Sequence, residues 1–468
     1  MTELGGTIRD DGSARSAAPV PQLPHLFVVL ECARPLAGGA YLRMEGIDEV
    51  VLGRGAKRGA TVSTEGGKRR IALTVPDGRM SGRHASVTRT KDGWILTDLG
   101  STNGTFVEGE RVEREVLPDG ATFELGGTVF LLRAALPADR KPALFVEANE
   151  LPHRQIGLAT LMPAHAAAVT ALAKIASADV SVLLLGESGT GKEVTARAVH
   201  AMSKRPGSFV PVNCGALPET LLESQLFGHV KGSFSGALRD EVGLVRASDK
   251  GTLFLDEIGD MRAPSQVALL RLLQEREVTP VGATKPVSVD LRVVAATHRQ
   301  VDGLEAAGFR SDLYARVNGY THRLPALRER IADLGLLVAD LLARLAPGRE
   351  NLTIELDLAR AMVAYEWPLN VRELEQALRV TSLLAEDGVL RLEHAPETLR
   401  SDKKPASEDG KDSAPLSVEE TKDRDALVGS LQAHQGNVSK VAAELGKTRM
   451  QIHRWMRKFG VDAAAYRK

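Results

Sequence analysis

The residues Gly186-Glu-Ser-Gly-Thr-Gly-Lys192-Glu193 stand directly after the apolar run Val182 to Leu185 and before a helical stretch that starts near Val194. That arrangement leaves the chain few options. A strand must deliver a glycine-rich turn and a helix must leave it, so that bare N–H groups and the helix N-terminus face an anion while Lys192 reaches its outer phosphates. This P-loop pattern calls for a parallel α/β sheet around it. Apolar runs at Ser181 to Leu185, Thr252 to Leu255 and Leu291 to Ala296 alternate with helical stretches and supply one. Glu193 stands where Ser or Thr is usual, which leaves open the side chain that touches Mg²⁺.

Downstream, Gly251-Thr-Leu-Phe-Leu-Asp256-Glu257 is an apolar strand ending in two carboxylates. Beside a P-loop, such a tip suits Asp256 to organise Mg²⁺ and Glu257 to polarise an attacking water. Without the P-loop, a solvated strand end explains the pair equally well. Phosphoryl transfer also needs positive charge on the transferred group, for which Arg310 and Arg316 in Phe309-Arg-Ser-Asp-Leu-Tyr-Ala-Arg316 are candidates. A surface ion pair is the competing explanation for both.

The rest of the chain divides by pattern into a multidomain protein. A length of 468 residues suggests about three domains. Residues 1–24 read as a disordered tail, 25–135 as short β-rich runs forming an all-β sandwich, and 136–154 as a linker. The α/β part spans 155–327, a helical lid 328–400, a charged linker 401–418, and a small all-α unit 419–468. Lys+Arg and Asp+Glu are equal at 60 each, so any nucleic-acid partner must meet a local patch. The two cysteines, Cys32 and Cys214, fit neither a disulfide framework nor a thiolate metal site, and the 11 histidines lack metal-ligand spacing. With no apolar run of membrane-spanning length and no basic-then-apolar start, a cytoplasmic protein without a membrane partner is expected.

Over about 155–400 the motifs resemble those of the sigma-54-dependent activators, or bacterial enhancer-binding proteins, of the AAA+ class. Besides the P-loop and acidic strand they include Glu223-Ser-Gln-Leu-Phe-Gly-His229, Leu324-Pro-Ala-Leu-Arg-Glu-Arg330 and Trp367-Pro-Leu-Asn-Val-Arg-Glu-Leu374. The resemblance implies that ATP and Mg²⁺ are held by Gly186, Glu187, Ser188, Gly189, Thr190, Gly191, Lys192 and Glu193 with Asp256. It implies that Asn213 holds the catalytic Glu257 at rest, and that Thr297 and Arg372 act as sensors. It further implies that Arg310 and Arg316 enter a neighbour's site in a homo-oligomeric ring, usually a hexamer. The loop Gly232-Ser233-Phe234-Ser235-Gly236-Ala237 departs from the family's Gly-Ala-Phe-Thr-Gly-Ala at Ser233 and Ser235, and matches the surface that engages sigma-54 of the RNA polymerase holoenzyme. An aromatic residue offered to water between glycines gains nothing for folding, which itself points to a partner.

From 437 to 468 the chain carries eight Lys or Arg against two acids. Two short helices joined at Gly446 fit a helix-turn-helix, and the segment resembles the Fis-type domain. On enhancer DNA, Arg449, Gln451 and His453 would read base edges while Arg454, Arg457 and Lys458 meet phosphates. At the front, Leu52-Gly-Arg54-Gly, Met80-Ser81-Gly-Arg83-His84 and Asp98-Leu-Gly-Ser-Thr102-Asn103-Gly resemble the forkhead-associated domain. Arg54, Ser81 and Arg83 with Thr102 supply phosphate-binding chemistry, Asn103 would grip peptide backbone, and His84 would brace the loops. The ligand is then a phosphothreonine segment, on a partner or in this chain, made by a Ser/Thr kinase. Two other readings stay open: a general AAA+ remodelling ATPase without sigma-54 contact, and a phosphopeptide-dependent DNA-binding scaffold.

Overall fold

The computed structural model describes residues 21–91, 93–137, 143–216, 219–234, 237–299, 303–304, 308–400 and 418–436, and scattered positions from 440 onward; side chains at 219–221 and 418–422 are outside that description. No helix among these residues is long and apolar enough to cross a membrane. Residues 1–402 form one compact unit and 403–468 a second.

The first unit opens with a β-sandwich of strands β1 (Gln22–Glu31), β2 (Ala40–Arg43), β3 (Glu49–Arg54), β4 (Gly59–Glu65), β5 (Lys68–Val75), β6 (Ala85–Thr90), β7 (Gly93–Asp98), β8 (Thr105–Val107), β9 (Glu110–Val112), β10 (Arg114–Leu117), β11 (Thr122–Leu125), β12 (Thr128–Pro137) and β13 (Phe145–Glu147). One sheet runs β13-β2-β1-β12-β11-β8-β9, the other β10-β7-β6-β3-β5-β4. Two expected boundaries are corrected. Strand β1 begins at Gln22, inside the expected tail, because Gln22 and Leu23 pair with Pro137 and Leu136. The expected linker contains β13, which adds to the free edge of β2 through Phe145–Leu42 and Val146–Tyr41 pairing.

Alternation along β1 decides how the sandwich is placed. Leu26 and Val28 face the sandwich core with Leu42, Leu52, Phe123 and Phe130. Phe27 and Val29 point the other way, yet they are equally buried, in one cluster with Val129 and Leu131 of β12 and with Leu334, Val338, Leu341 and Leu342 of the lid. A strand buried on both faces reads as a continuous apolar run, as Leu26-Phe-Val-Val-Leu30 does. The lid helix Leu334–Leu345 lies so close to β1 that a Cβ at Gly335 would strike the Val29 carbonyl oxygen. Beside it, Ile354 N–H donates to Cys32 O at 2.8 Å, and Arg360 binds Glu124 at 2.6 Å.

Next come α1 (Pro163–Ala176), β14 (Val182–Leu185), α2 (Lys192–Ser203), β15 (Phe209–Asn213), β16 (Thr252–Asp256), the small pair β17 (Glu277–Val278) and β18 (Val287–Ser288), β19 (Arg292–Thr297) and β20 (Tyr320–Arg323). Five of these strands form a parallel sheet in the order β15-β16-β19-β14-β20. The lid adds Leu356–Ala364 and Asn370–Leu384 around the fully buried Trp367, whose indole N–H donates to Met362 O at 2.9 Å. In the second unit, helix Val418–Ala433 contributes Leu427 and Leu431 to a small core with Val441, Ile452 and Met456.

His165 on α1 and His322 on β20 lie with ring centroids 5.9 Å apart. Burial, then the charges of Arg330 and His322, push His165 down to about 3, and burial pushes His322 to about 4. Folded, both bind fewer protons than the unfolded chain, so stability is lost as pH falls from the unfolded value near 6.5 towards 3–4. Between pH 7.5 and 5.5 the pair costs about 2 kcal/mol. Calorimetric Tm is expected to fall over this range, and a His165→Gln/His322→Gln double variant to flatten the slope.

Candidate functional site

Strand β14 delivers the chain into Gly186–Gly191 at its C-terminal end, and α2 leaves from Lys192. Two glycines are forced here. Gly189 (φ 77°) is approached by the Leu369 carbonyl, where a Cβ would collide, while Gly191 (φ 103°) has nothing within 4 Å of a Cβ position. The backbone thus stays bare on the side where an anion would sit. Lys192 is only 7% exposed and donates to Gly186 O at 2.9 Å and Glu187 O at 3.3 Å, with Glu257 Oε1 3.2 Å away. Glu193, at the unusual position, is exposed and pairs with Arg197 one helical turn on.

Strand β16 ends at Asp256, beside Asn213 at the end of β15. Glu257 follows in the left-handed region (φ 51°), which turns its carboxylate towards β19. There it accepts Nδ1–H of His298 at 2.7 Å and His298 N–H at 3.2 Å. The expectation that Asn213 holds Glu257 is corrected: Asn213 Oδ1 accepts Gly215 N–H at 3.0 Å, and His298 with Lys192 holds the carboxylate. Burial works against the Glu257 anion, but the His298 hydrogen bond and Lys192 outweigh it and leave its pKa below the ordinary range. Asp256 moves the other way, raised by burial and then by Glu257. A carboxylate so placed gains from a divalent cation, and one protein carboxylate plus phosphate oxygens suits Mg²⁺. Nearby Cys214 is pushed up to about 12 by burial and the surrounding carboxylates, an inert thiol.

The lid grips the P-loop from outside. Arg328 binds Glu187 at 2.8 Å, Asn370 donates to Glu187 Oε2 at 3.2 Å and Ser188 O at 2.9 Å, and Arg330 donates to Thr190 O at 3.2 Å. Arg372 N–H donates to Gly189 O at 3.3 Å and its guanidinium to Ser188 Oγ at 3.3 Å. The Arg328 hydrogen bond, opposed by burial, holds Glu187 down at about 2. Arg328, Arg330 and Asn370 were not singled out from the sequence, although all three lie inside quoted motifs. Thr297 is fully buried; its carbonyl accepts Gly186 N–H and its hydroxyl Arg299 N–H. Arg310 caps the helix Ser311–Val317 and Arg316 lies in its last turn, both exposed, while Leu313 and Val317 of the same helix are buried; Arg310 forks onto Asp312, the surface pairing weighed for it.

Away from the cleft, His229 and Glu241 bridge as antiparallel partners and close a loop in which Gly232 N–H donates to Ala237 O at 2.9 Å. His229 shares a 2.8 Å hydrogen bond with Ser224 and lies edge-on to Phe234 at 5.0 Å. Ser233 rests against Gly282, between β17 and β18. Phe234, Leu238 and Val242 are 40%, 84% and 57% exposed. Ser235 and Gly236 lie outside the described residues.

On the sandwich, Arg54 N–H donates to Ser81 O at 2.8 Å, and Ser81 Oγ accepts Thr102 N–H at 3.2 Å, so three loops meet at one surface where Arg54 and Arg83 are exposed. His84 is buried beneath, accepting Ser81 N–H and donating to Gly104 O. Asn103 donates to Arg79 O at 2.7 Å. Arg449, Gln451, His453, Arg454, Arg457 and Lys458 all lie outside the described residues.

Because His298 orients Glu257 and Asn213 does not, His298→Ala is expected to lower ATP turnover about tenfold in kcat through lost orientation. Asn213→Ala is expected to leave it nearly unchanged. Steady-state phosphate release compares the two.

Residues 158–322 match the sigma-54 interaction domain, 328–412 the AAA+ ATPase lid domain and 50–126 the FHA domain. The hydrogenase transcriptional regulatory protein HoxA of Bradyrhizobium diazoefficiens is 42% identical over 296 residues, 60% of this chain and 59% of that protein. The transcriptional regulatory protein GlrR of Escherichia coli is 38% identical over 301 residues, 63% and 66% of the two chains. The Nif-specific regulatory protein of Azotobacter vinelandii is 42% identical over 284 residues, 60% of this chain and 54% of that one. The matches thus span roughly three fifths of those relatives' lengths. The chain carries a sigma-54 interaction domain of AAA+ ATPase type, with its lid, behind an FHA domain.

Proposed function

We propose that this protein is an ATP-driven activator of sigma-54 transcription in the cytoplasm, acting as a ring, held on enhancer DNA by its C-terminal unit and governed by phosphothreonine recognition at its front. Bound ATP with Mg²⁺ supplies the phosphoanhydride whose cleavage drives the cycle. Lys192 and the bare loop amides bind the phosphates, Asp256 holds the cation, and Glu257, oriented by His298, draws a proton from water. Arg310 or Arg316 is the exposed cation that a neighbouring subunit would offer.

The observation that carries this reading is the exposure of three large apolar side chains, Phe234 and Leu238 in a loop anchored through His229 and Val242 just past its closing bridge. A fold gains nothing by showing that surface to water. A nucleotide-driven machine needs such a tip to grip its client, and the match to the sigma-54 interaction domain supports sigma-54 as that client. The decisive experiment is ATP-dependent isomerisation of sigma-54 holoenzyme on a candidate promoter, with and without phosphopeptide. Phe234→Ala is expected to abolish open-complex formation while ATP turnover stays within about twofold, because the cleft is untouched. Open complexes at the wild-type level would refute the assignment.

The FHA match and the convergence of Arg54, Ser81 and Thr102 support phosphothreonine binding. Arg54→Ala is expected to weaken binding of a phosphothreonine peptide by about 2 kcal/mol, the scale of a charge-assisted contact, in a fluorescence titration.

A further inference from the structure

One residue joins the phosphate-reading loops to the lid. The segment between β3 and β4 begins at Arg54, tied to Ser81, and ends with Arg58, whose side chain is 4% exposed. Arg58 makes four hydrogen bonds: to Glu31 Oε1 at 2.8 Å, Glu147 Oε1 at 2.9 Å, Gly38 O at 2.8 Å and Ala37 O at 3.1 Å. The partners come from three pieces of the seam, with Ala37 and Gly38 in one turn. Glu31 ends β1, Glu147 ends β13 on the way into the ATPase, and Gly38 faces the lid helix closely enough that a Cβ placed on it would be in ordinary contact with Leu336 and Ala339. Between the two arginines, Gly55 N–H donates to Val75 O and Thr74 Oγ1 donates to Lys57 O, so the five-residue link Arg54–Arg58 is fastened along its length.

The lid helix Leu334–Leu345 that meets Gly38 continues directly from the segment holding Arg328 and Arg330, the residues that grip Glu187 and Thr190 of the P-loop. A planar guanidinium with four of its five N–H groups committed transmits a displacement better than a flexible contact would. We propose that Arg58 couples the phosphothreonine site to ATP turnover: ligand binding at Arg54 moves the Arg54–Arg58 segment against the seam, and the lid passes this to the P-loop. The proposal rests on the phosphothreonine reading above, and assigns the front domain an action through the lid instead of through a flexible tether.

The test uses full-length protein with Mg²⁺ and ATP, a degenerate phosphothreonine peptide pool, and the same pool unphosphorylated. In wild type the phosphorylated pool is expected to change turnover about fivefold, the low end of ordinary coupling between sites. Arg58→Leu is expected to bind the pool within about twofold of wild type and to lose the change in turnover. A variant that binds and still responds as wild type does overturns the proposal. Wild type that binds without any change in turnover overturns the coupling alone, whereas no binding by wild type overturns the phosphothreonine reading with it. Should Arg58→Leu misfold, hydrogen exchange on wild type decides: amides of Leu334–Leu345 are expected to change protection when the pool binds, and unchanged protection refutes the coupling.

Discussion

Burial of both faces of β1 and β12 is the constraint on which the first unit depends. A sandwich ordinarily keeps its outer faces polar, and an apolar outer face must be covered. Here Phe27, Val29, Tyr41, Val129 and Leu131 are covered by Leu334, Val338, Leu341 and Leu342. At roughly 2 kcal/mol for each fully buried large side chain, the shared cluster contributes on the order of 10 kcal/mol, an upper bound set by the extended-chain reference. That is comparable with the whole stability of a domain. Sandwich and lid therefore share one core, and removing the front domain would strip the lid as well as the sensor.

A polar counterpart lies where the P-loop, the approach to α1 and the lid converge. Asp333 is fully buried and Arg330 almost so, a costly placement that their neighbours offset in part, Arg330 Nε being left without a partner. Asp333 accepts Thr160 Oγ1–H at 2.7 Å and Leu161 N–H at 2.6 Å, while Arg330 donates to Thr190 O. Losing either charge would leave the other buried without compensation, so the two fix the lid against the P-loop in one register. The apolar seam supplies adhesion without direction, and this pair supplies direction.

Legibility in the sequence followed the range over which each feature is determined. The P-loop, the acidic strand end and the parallel sheet were readable because strand, turn and helix are neighbours in the chain. The placement of β13 was not, because Phe145–Glu147 becomes a strand only through the open edge of β2, a hundred residues away. The run Leu26 to Leu30 reads in sequence only as one short strand among several, and nothing local names the lid that covers its outer face. Asn213 was given the role of holding Glu257 by analogy, whereas the positive φ at Glu257 aims the carboxylate at His298. Arg58 stands in Gly-Ala-Lys-Arg, a stretch that looks like any solvated turn until its fold removes it from water.

The cleft combines a shared charge with a fixed one, and this bears on how the ATPase would be controlled. Lys192 has Glu257 and two loop carbonyls as partners, while Glu257 has both Lys192 and His298. A polyphosphate is a stronger partner for an ammonium than a carbonyl is, so it draws Lys192 without releasing Glu257 from His298. Glu257 is then held by His298, just past β19, alone, and the order of events is set by which tether breaks first. Since Glu187, one of the two residues whose carbonyls compete for Lys192, is held by the lid through Arg328 and Asn370, a displacement of the lid bears directly on that competition. Control exerted through the lid therefore needs no separate machinery at the reacting atoms.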